Sequence, residues 1–349
     1  MKRHHRMPET EAWALLARAP AVTLSCLGDH GRPLARALHG VVEAGALMFH
    51  GGPRGEKRAA EGERVVVTAH EIVAEIPSYF VDPRRACPAT TFYESVELRG
   101  RLERVQDPAL KARALQALMD RYQREGGFVT IDPERPEYAA LYRKAVEGVI
   151  VTCVRPSSIT GKRKLGQERA AKGVLKILEG LWRRGRLGDA RALERIREAH
   201  PERPTPAFLR GPEGIELCCA LAGEDVLARA VSLVEGAYWN VGVSPERVAA
   251  AHRGSTAWVG ARDHGRLIAT ARAVSDGGKH AWIYDVAVDP AYRGRGLGTA
   301  TIELLLAHPR VRDALFVHLK TRDAQGFYAR HGFVERAPQL MSLRRAEAA

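Results

Sequence analysis

Trp282-Ile283-Tyr284-Asp285-Val286-Ala287-Val288-Asp289-Pro290, then Arg293-Gly294-Arg295-Gly296-Leu297-Gly298 and the run Thr299 to Ala307, form the stretch on which the reading of this chain turns. The first segment is apolar and β-branched, and Pro290, lacking an N–H for a ladder, closes it as a strand. Leu297, Ala300, Thr301, Leu304 and Leu305 recur at the spacing of one helical face. Between strand and helix lies a turn with three glycines and two arginines. The first amides of a helix have no intrahelical acceptor and carry roughly half a positive charge from the helix dipole. Gly294, Gly296 and Gly298 let the backbone approach an anion, and Arg293 and Arg295 add charge beside it.

The spacing sorts this turn among phosphate-binding motifs. It is neither G-x-x-x-x-G-K-[ST] nor G-x-G-x-x-G. It matches R-x-x-G-x-G, and there the segment resembles the acetyl-coenzyme A turn of the GNAT N-acetyltransferases, whose amides hold the coenzyme pyrophosphate. Downstream, Phe327-Tyr328-x-x-x-Gly332-Phe333 is similar to the family motif carrying a tyrosine acid. The resemblance implies acetyl-CoA contacts at Val286, Val288, Arg293, Gly294, Arg295, Gly296, Leu297, Gly298, Thr299 and Thr321. Thr321 stands where the family often has asparagine, which weakens that one contact. It also implies Tyr328 as acid toward the leaving thiolate. Asp285 is the first candidate for the base, with Asp323 the other, and Tyr238 and Trp239 fall in the acceptor-loop region.

Outward from this stretch, the 349 residues predict two domains, with 45% hydrophobic and 27% charged residues as in soluble globular proteins. No apolar run approaches a bilayer span, and no signal peptide is expected. Cys26, Cys87, Cys153, Cys218 and Cys219 are odd in number and lack metal-type spacing, so a reducing cytoplasm is expected and a metal is not. The net charge of +13 could serve nucleic acid, but the arginines are scattered among acids, with only Lys162-Arg163-Lys164 clustered. Two anionic cofactors account for that balance as well.

In the amino-terminal half, a helix from Glu9 to Arg18 precedes a hairpin with Ala21 to Cys26 and Leu34 to Leu38 around Gly28-Asp29-His30-Gly31-Arg32. Strands follow over Val41 to Glu43, Ala46 to His50 and Val65 to Ala69. In Phe92 to Arg104, Tyr93, Ser95, Glu97 and Arg99 alternate with Glu94, Val96, Leu98 and Gly100. Helices are predicted over Pro108 to Glu125 and Glu137 to Ala145, and a strand over Gly148 to Val154. Many short strands with few helices between them predict a small barrel. Leu47-Met48-Phe49-His50-Gly51-Gly52 with Lys57, Cys87 through Phe92-Tyr93-Glu94-Ser95-Val96, and Gly161 through Arg169 after the last strand resemble the FMN-binding split barrels of the pyridoxamine 5'-phosphate oxidase superfamily, nitroimidazole-resistance branch. The resemblance implies Arg36 and Lys57 on the flavin phosphate, His50, Gly51, Ser95 and Val96 along the ring and ribityl chain, and Lys164 and Gln167 closing the site. It also implies a homodimer.

Val174, Leu178, Leu181 and Trp182 make the stripe of a further helix, followed by one starting at Asp189; prolines 201, 204, 206 and 212 then suggest a linker. The expected fold is two-domain α+β. Residues 1–206 form a split β-barrel with flanking helices, 207–214 the linker, and 215–349 a GNAT mixed sheet with helices on both faces. The expected function is bifunctional: an FMN-dependent oxidoreductase-like domain and an acetyl-CoA-dependent N-acetyltransferase acting on a primary amine of a small molecule or peptide. The alternative is a flavin- or redox-sensing module that controls the acetyltransferase.

Overall fold

The computed structural model describes residues 5–52 and 60–336, so Lys57 and the strand expected near 339–343 lie outside the described residues. The chain divides into two compact units, Met1–Val174 and Leu175–Ala349.

In the first unit the elements are β1 (Arg6–Met7), α1 (Glu9–Arg18), β2 (Val22–Leu27), β3 (Pro33–Leu38), β4 (Val41–Glu43), β5 (Ala46–Gly51), β6 (Arg64–Ile76), β7 (Thr90–Arg104), α2 (Pro108–Tyr122), α3 (Tyr138–Leu141), α4 (Arg143–Gly148) and β8 (Ile150–Lys164). They form one antiparallel sheet, ordered β3-β2-β6-β7-β8-β5-β4, with β1 on β8. The sheet curls, since Leu24, Phe49, Val67, Leu98 and Val154 from five strands share a core with Leu15 and Leu16 of α1. A flat sheet would hold β2 and β5 four strands apart. The alternation expected in β7 holds: Glu94, Val96, Leu98 and Gly100 face inward.

Two strands run longer than the sequence reading. β6 continues through His70 to Ile76, and β8 runs past Pro156 to Lys164. A proline ordinarily ends a central strand. Here it sits opposite Gly100, beside a register shift that leaves Ser157 without a pairing partner on β7. A Cβ on Gly100 would lie 2.1 Å from the Arg155 carbonyl oxygen, so only glycine permits the approach. Gly161 to Lys164, expected after the last strand, are therefore part of it.

The second unit begins within α5 (Ala171–Arg184) and continues through α6 (Asp189–Glu198), β9 (Glu216–Cys218), α7 (Glu224–Leu233), α8 (Pro245–Arg253), β10 (Ala257–Asp263), β11 (Arg266–Ser275), β12 (His280–Val288), α9 (Leu297–Ala307), β13 (Phe316–His318) and α10 (Gln325–Ala329). Among the described residues the sheet order is β13-β12-β11-β10-β9, with only β12 and β13 parallel. Ala257 to Ala261 and Leu267 to Ala271 are buried without alternation, as expected where helices cover both faces.

The boundary differs from the expected one. The proline-rich stretch is no free linker: Leu209 is fully buried, and Phe208 stacks on Trp182 of α5 at 4.7 Å. The buried Glu194 carboxylate of α6 accepts from the Cys219 amide at 2.6 Å and from Arg197 Nη1 at 2.8 Å. Helices α5 and α6 thus close the second unit. Their apolar stripe is visible in sequence, but a stripe does not say which core it covers. No helix among the described residues is long and apolar enough to cross a membrane.

Candidate active site

β12 and β13 pair only from His280–Phe316 to Trp282–His318, yet β12 continues to Val288. β13 ends at His318, so beyond Trp282 the edge of β12 is left without that neighbour, and a cleft of about 850 Å³ opens beside Val286, Ala287 and Val288. Its second wall is the turn after β12, and its third is α10, through Ala324, Phe327 and Tyr328. The turn has the expected form. Gly294 and Gly296 adopt φ values of 78° and 77°, where a side chain would be strained, and Gly296 caps α9. A Cβ on Gly298 would sit 3.5 Å from the Phe327 ring, projecting into the space between the walls. The opening amides of α9 border this cleft, so its residues fit a pyrophosphate.

Of the expected coenzyme residues, Val286, Val288, Arg293, Gly294, Gly296, Leu297, Gly298 and Thr299 line the cleft. Arg293 Nε also donates to the Val288 carbonyl at 3.3 Å. Arg295 is not a lining residue. It pairs with Glu213 at 2.6 Å and lies over the Tyr292 ring. Thr321 instead accepts from the Ala324 amide, capping the approach to α10.

Tyr328 is wedged edge-on against Phe327 and Phe333. Burial first, and the neighbouring Tyr238 second, push its phenol up to about 12. Its hydroxyl has no hydrogen-bond partner among the described residues, although the residue lines the cleft.

Asp285 is buried at 7% exposure and is not part of the lining. It sits at the bulge where β12 places two residues against one of β11, with φ of 52°. Its Oδ1 accepts from Trp239 Nε1 at 2.9 Å and its Oδ2 from Arg272 Nε at 2.5 Å. Behind it, Trp258 Nε1 donates to His252 Nδ1 at 3.1 Å, which leaves the His252 Nε2 hydrogen facing Asp285 Oδ2 at 3.6 Å. Burial pushes His252 down to about 4, so the ring is neutral. Asp323 is exposed and pairs with Arg322 at 3.3 Å.

Tyr238 and Trp239 also line the cleft, with Trp239 held at Asp285, just before the Val286 to Val288 stretch of β12. The sequence reading missed Glu235 beside them. Helix α7 stops at Leu233, which leaves Glu235 in the loop that follows, among the cleft-lining residues. Phe327 and Arg330 were also missed, because their place depends on where α10 packs.

The flavin-type residues of the first unit are differently arranged. Ser95 pairs with Lys162, and Tyr93 with Lys164, on the outward side of β7 and β8. Val96 points into the core. Lys164 Nζ donates to Thr90, and Gln167 braces its own turn through the Leu165 amide and the Arg163 carbonyl. Arg36 is exposed on the edge strand β3. His50 and Gly51 pair with Val151 and Ile150, at the opposite end of the 15-residue β8 from Lys162. At ~3.3 Å per residue, on the order of 40 Å of strand separates the two groups. Within one chain the set fits a flavin only in part.

Comparison with known proteins follows the same division. Residues 8–163 match the pyridoxamine 5'-phosphate oxidase family, and residues 228–333 match the acetyltransferase (GNAT) family. The chain is 38% identical over 88 residues to GCN5-related N-acetyltransferase 1, chloroplastic, of Arabidopsis thaliana, covering 25% of this chain and 45% of that protein. It is 42% identical over 64 residues to glucosamine 6-phosphate N-acetyltransferase 1 of Oryza sativa subsp. japonica, covering 18% and 39%. The chain thus spans less than half the length of these curated relatives. Among solved structures, a protein assigned to 5-nitroimidazole antibiotic resistance from Bacteroides thetaiotaomicron is similar at 21% identity and a TM-score of 0.35, over 45% of this chain and 85% of that one. An acetyltransferase assigned to the GNAT family from Xanthomonas campestris pv. campestris is similar at 29% identity and a TM-score of 0.34, over 39% and 96%. At those TM-scores the likenesses add nothing to the family matches. The chain therefore carries, in order, a domain matching the pyridoxamine 5'-phosphate oxidase family and a domain matching the GNAT acetyltransferase family.

Proposed function

We propose that the second unit transfers an acetyl group from acetyl-CoA to the primary amine of a small molecule or peptide. The observation that carries this reading is the facing of Tyr328 and the α9 turn across the open edge of β12. The opening amides of α9 hold the pyrophosphate, and the unpaired edge at Val286 and Val288 runs beside the pantetheine arm. The amine nitrogen attacks the thioester carbon, the C–S bond breaks, the amine loses a proton and the thiolate gains one. With its phenol near 12, Tyr328 stays protonated at neutral pH and donates to the departing sulfur. Complete transfer to a thiolate of ordinary pKa, about 8.5, would be uphill by roughly 5 kcal/mol. Its role is therefore a hydrogen bond to the developing charge, moving toward transfer only as the sulfur is itself desolvated. Asp285, with both oxygens engaged, supports the acceptor loop better than it serves as a base. Thiol release from acetyl-CoA with an amine mixture, and mass analysis of the acetylated product, tests the reading; binding without transfer to any amine sinks it.

For the first unit we propose FMN binding across a homodimer. What supports it is the separation of His50 and Gly51 from Ser95 and Lys164, which a second copy would bridge. Bound flavin would supply one- or two-electron redox chemistry. Arg36, with Lys57, would meet the phosphate, and Ser95 the ring. An absorption spectrum with mass analysis of the ligand released on denaturation tests this; a colourless protein that takes up no added FMN removes it.

A further inference from the structure

We propose that the amine acetylated by the second unit carries an aryl or similarly flat apolar group and no anionic group. Trp239 and Glu235 recognise it, and Asp285 is the positioning residue that holds Trp239 in place. This rests on the acetyltransferase reading and narrows it to a substrate class.

Trp239 is 44% exposed, a large apolar surface to leave in water beside a cleft. Its orientation is fixed from both sides. The ring stands edge-on to Tyr238 at 4.9 Å, and its Nε1 donates to the buried Asp285 carboxylate. That carboxylate is held in turn by Arg272, on a residue whose left-handed backbone persists only where the surrounding structure enforces it. A rigid aromatic wall binds an apolar group without the entropy cost of ordering a mobile one. Tyr238 is less available: the Arg322 guanidinium lies 4.0 Å from its ring centroid, and the Arg322 amide donates to its hydroxyl at 2.7 Å. The open aromatic face is that of Trp239.

Charge supplies the other half. Glu235 lines the same cleft, four residues before Trp239 in the same loop, is exposed, and has no ion-pair partner among the described residues. The lining arginines belong to the coenzyme end: Arg293 is in the turn, and Arg330 lies over Phe327, which faces Gly298. Glu235, the one lining carboxylate among the described residues, thus attracts an ammonium and disfavours a phosphate or carboxylate on the acceptor.

The test uses the full chain with acetyl-CoA and three amines: 2-phenylethylamine, ethanolamine and glucosamine 6-phosphate. The expected order of kcat/KM is phenylethylamine first by about tenfold over ethanolamine, with the phosphorylated sugar last. Trp239→Ala should raise the KM for phenylethylamine about tenfold, with kcat and the KM for ethanolamine little changed. Asp285→Asn should reproduce that split in weaker form, and Trp239→Phe should recover part of the affinity. Glu235→Gln should raise KM for both simple amines and narrow the discrimination against the phosphate. Preference for the sugar phosphate, equal use of all three, or a Trp239→Ala loss shared by both simple amines overturns this proposal while leaving acetyl transfer standing. Acetyl-CoA binding with no amine acetylated overturns both.

Discussion

The residues of the second unit's cleft come from the α7–α8 loop, the end of β12, the following turn and α10, and they meet in one space within one chain. Those of the first unit's flavin-type set lie on both faces of a curled sheet and at opposite ends of β8. The contrast follows from how each site uses the backbone. A strand that runs on past the end of its parallel neighbour, beside a helix N-terminus, makes a concave, anion-ready place by itself. The outward side of an antiparallel sheet is convex, and a second surface must meet it before a flat cofactor is enclosed.

Five measurements would break or sharpen that contrast. Tyr328→Phe should lower kcat about a hundredfold and leave acetyl-CoA affinity near wild type, read by thiol release and calorimetry. Equal activity would remove the phenol from the chemistry. Acid should weaken the second unit more than the first. Burial holds His252 and His308 at about 4 in the folded chain, against an ordinary 6.5. The unfolded chain therefore binds protons that the folded one refuses, and stability present above about pH 6.5 is lost as pH falls toward 4, by up to about 3 kcal/mol for each ring. Thermal unfolding followed between about pH 7 and about pH 5 should show the second unit's transition falling ahead of the first's. Gly298→Val should weaken acetyl-CoA about tenfold by narrowing the gap to Phe327, with the flavin content of the protein unchanged.

The dimer reading makes a smaller, signed prediction. If each flavin site draws His50 from one copy and Lys164 from the other, flavin-poor His50→Ala and Lys164→Ala proteins, denatured and refolded together, should regain about a quarter of wild-type flavin. No regain would mean that each chain builds its own site. Arg295→Ala should have the least effect, under about threefold on acetyl-CoA affinity, because its partner is the exposed Glu213 and not the cleft.

Much of the second unit was legible because its signals are local. β12 ends at Val288 and α9 begins at Leu297, directly after the second of the three turn glycines, close to where the β-branched run and the Gly294, Gly296 and Gly298 spacing place the junction. Asp285 was visible as a residue beside the turn, but its left-handed bulge and its grip on Trp239 were not. Both arise from pairing with β11 and from packing under α8. The extension of β8 through Pro156 was hidden for a similar reason, since a proline reads as a stop until Gly100 on the neighbouring strand gives it room. The domain boundary was misplaced because prolines mark irregular backbone, whether exposed or buried, and here Leu209 is buried.

By itself, then, the amino-acid sequence determined the order of the elements, the phosphate-ready turn at residues 293–298 and the tyrosine downstream of it, because each rests on dihedral preference and periodicity within a few residues. Tertiary structure alone decided that α5 and α6 close the second unit, that Arg295 turns away to Glu213, that Glu235 enters the cleft and that Asp285 pins an indole. Those outcomes depend on which distant side chains compete for the same charge, hydrogen bond or buried volume, and that competition is settled only when the chain has packed.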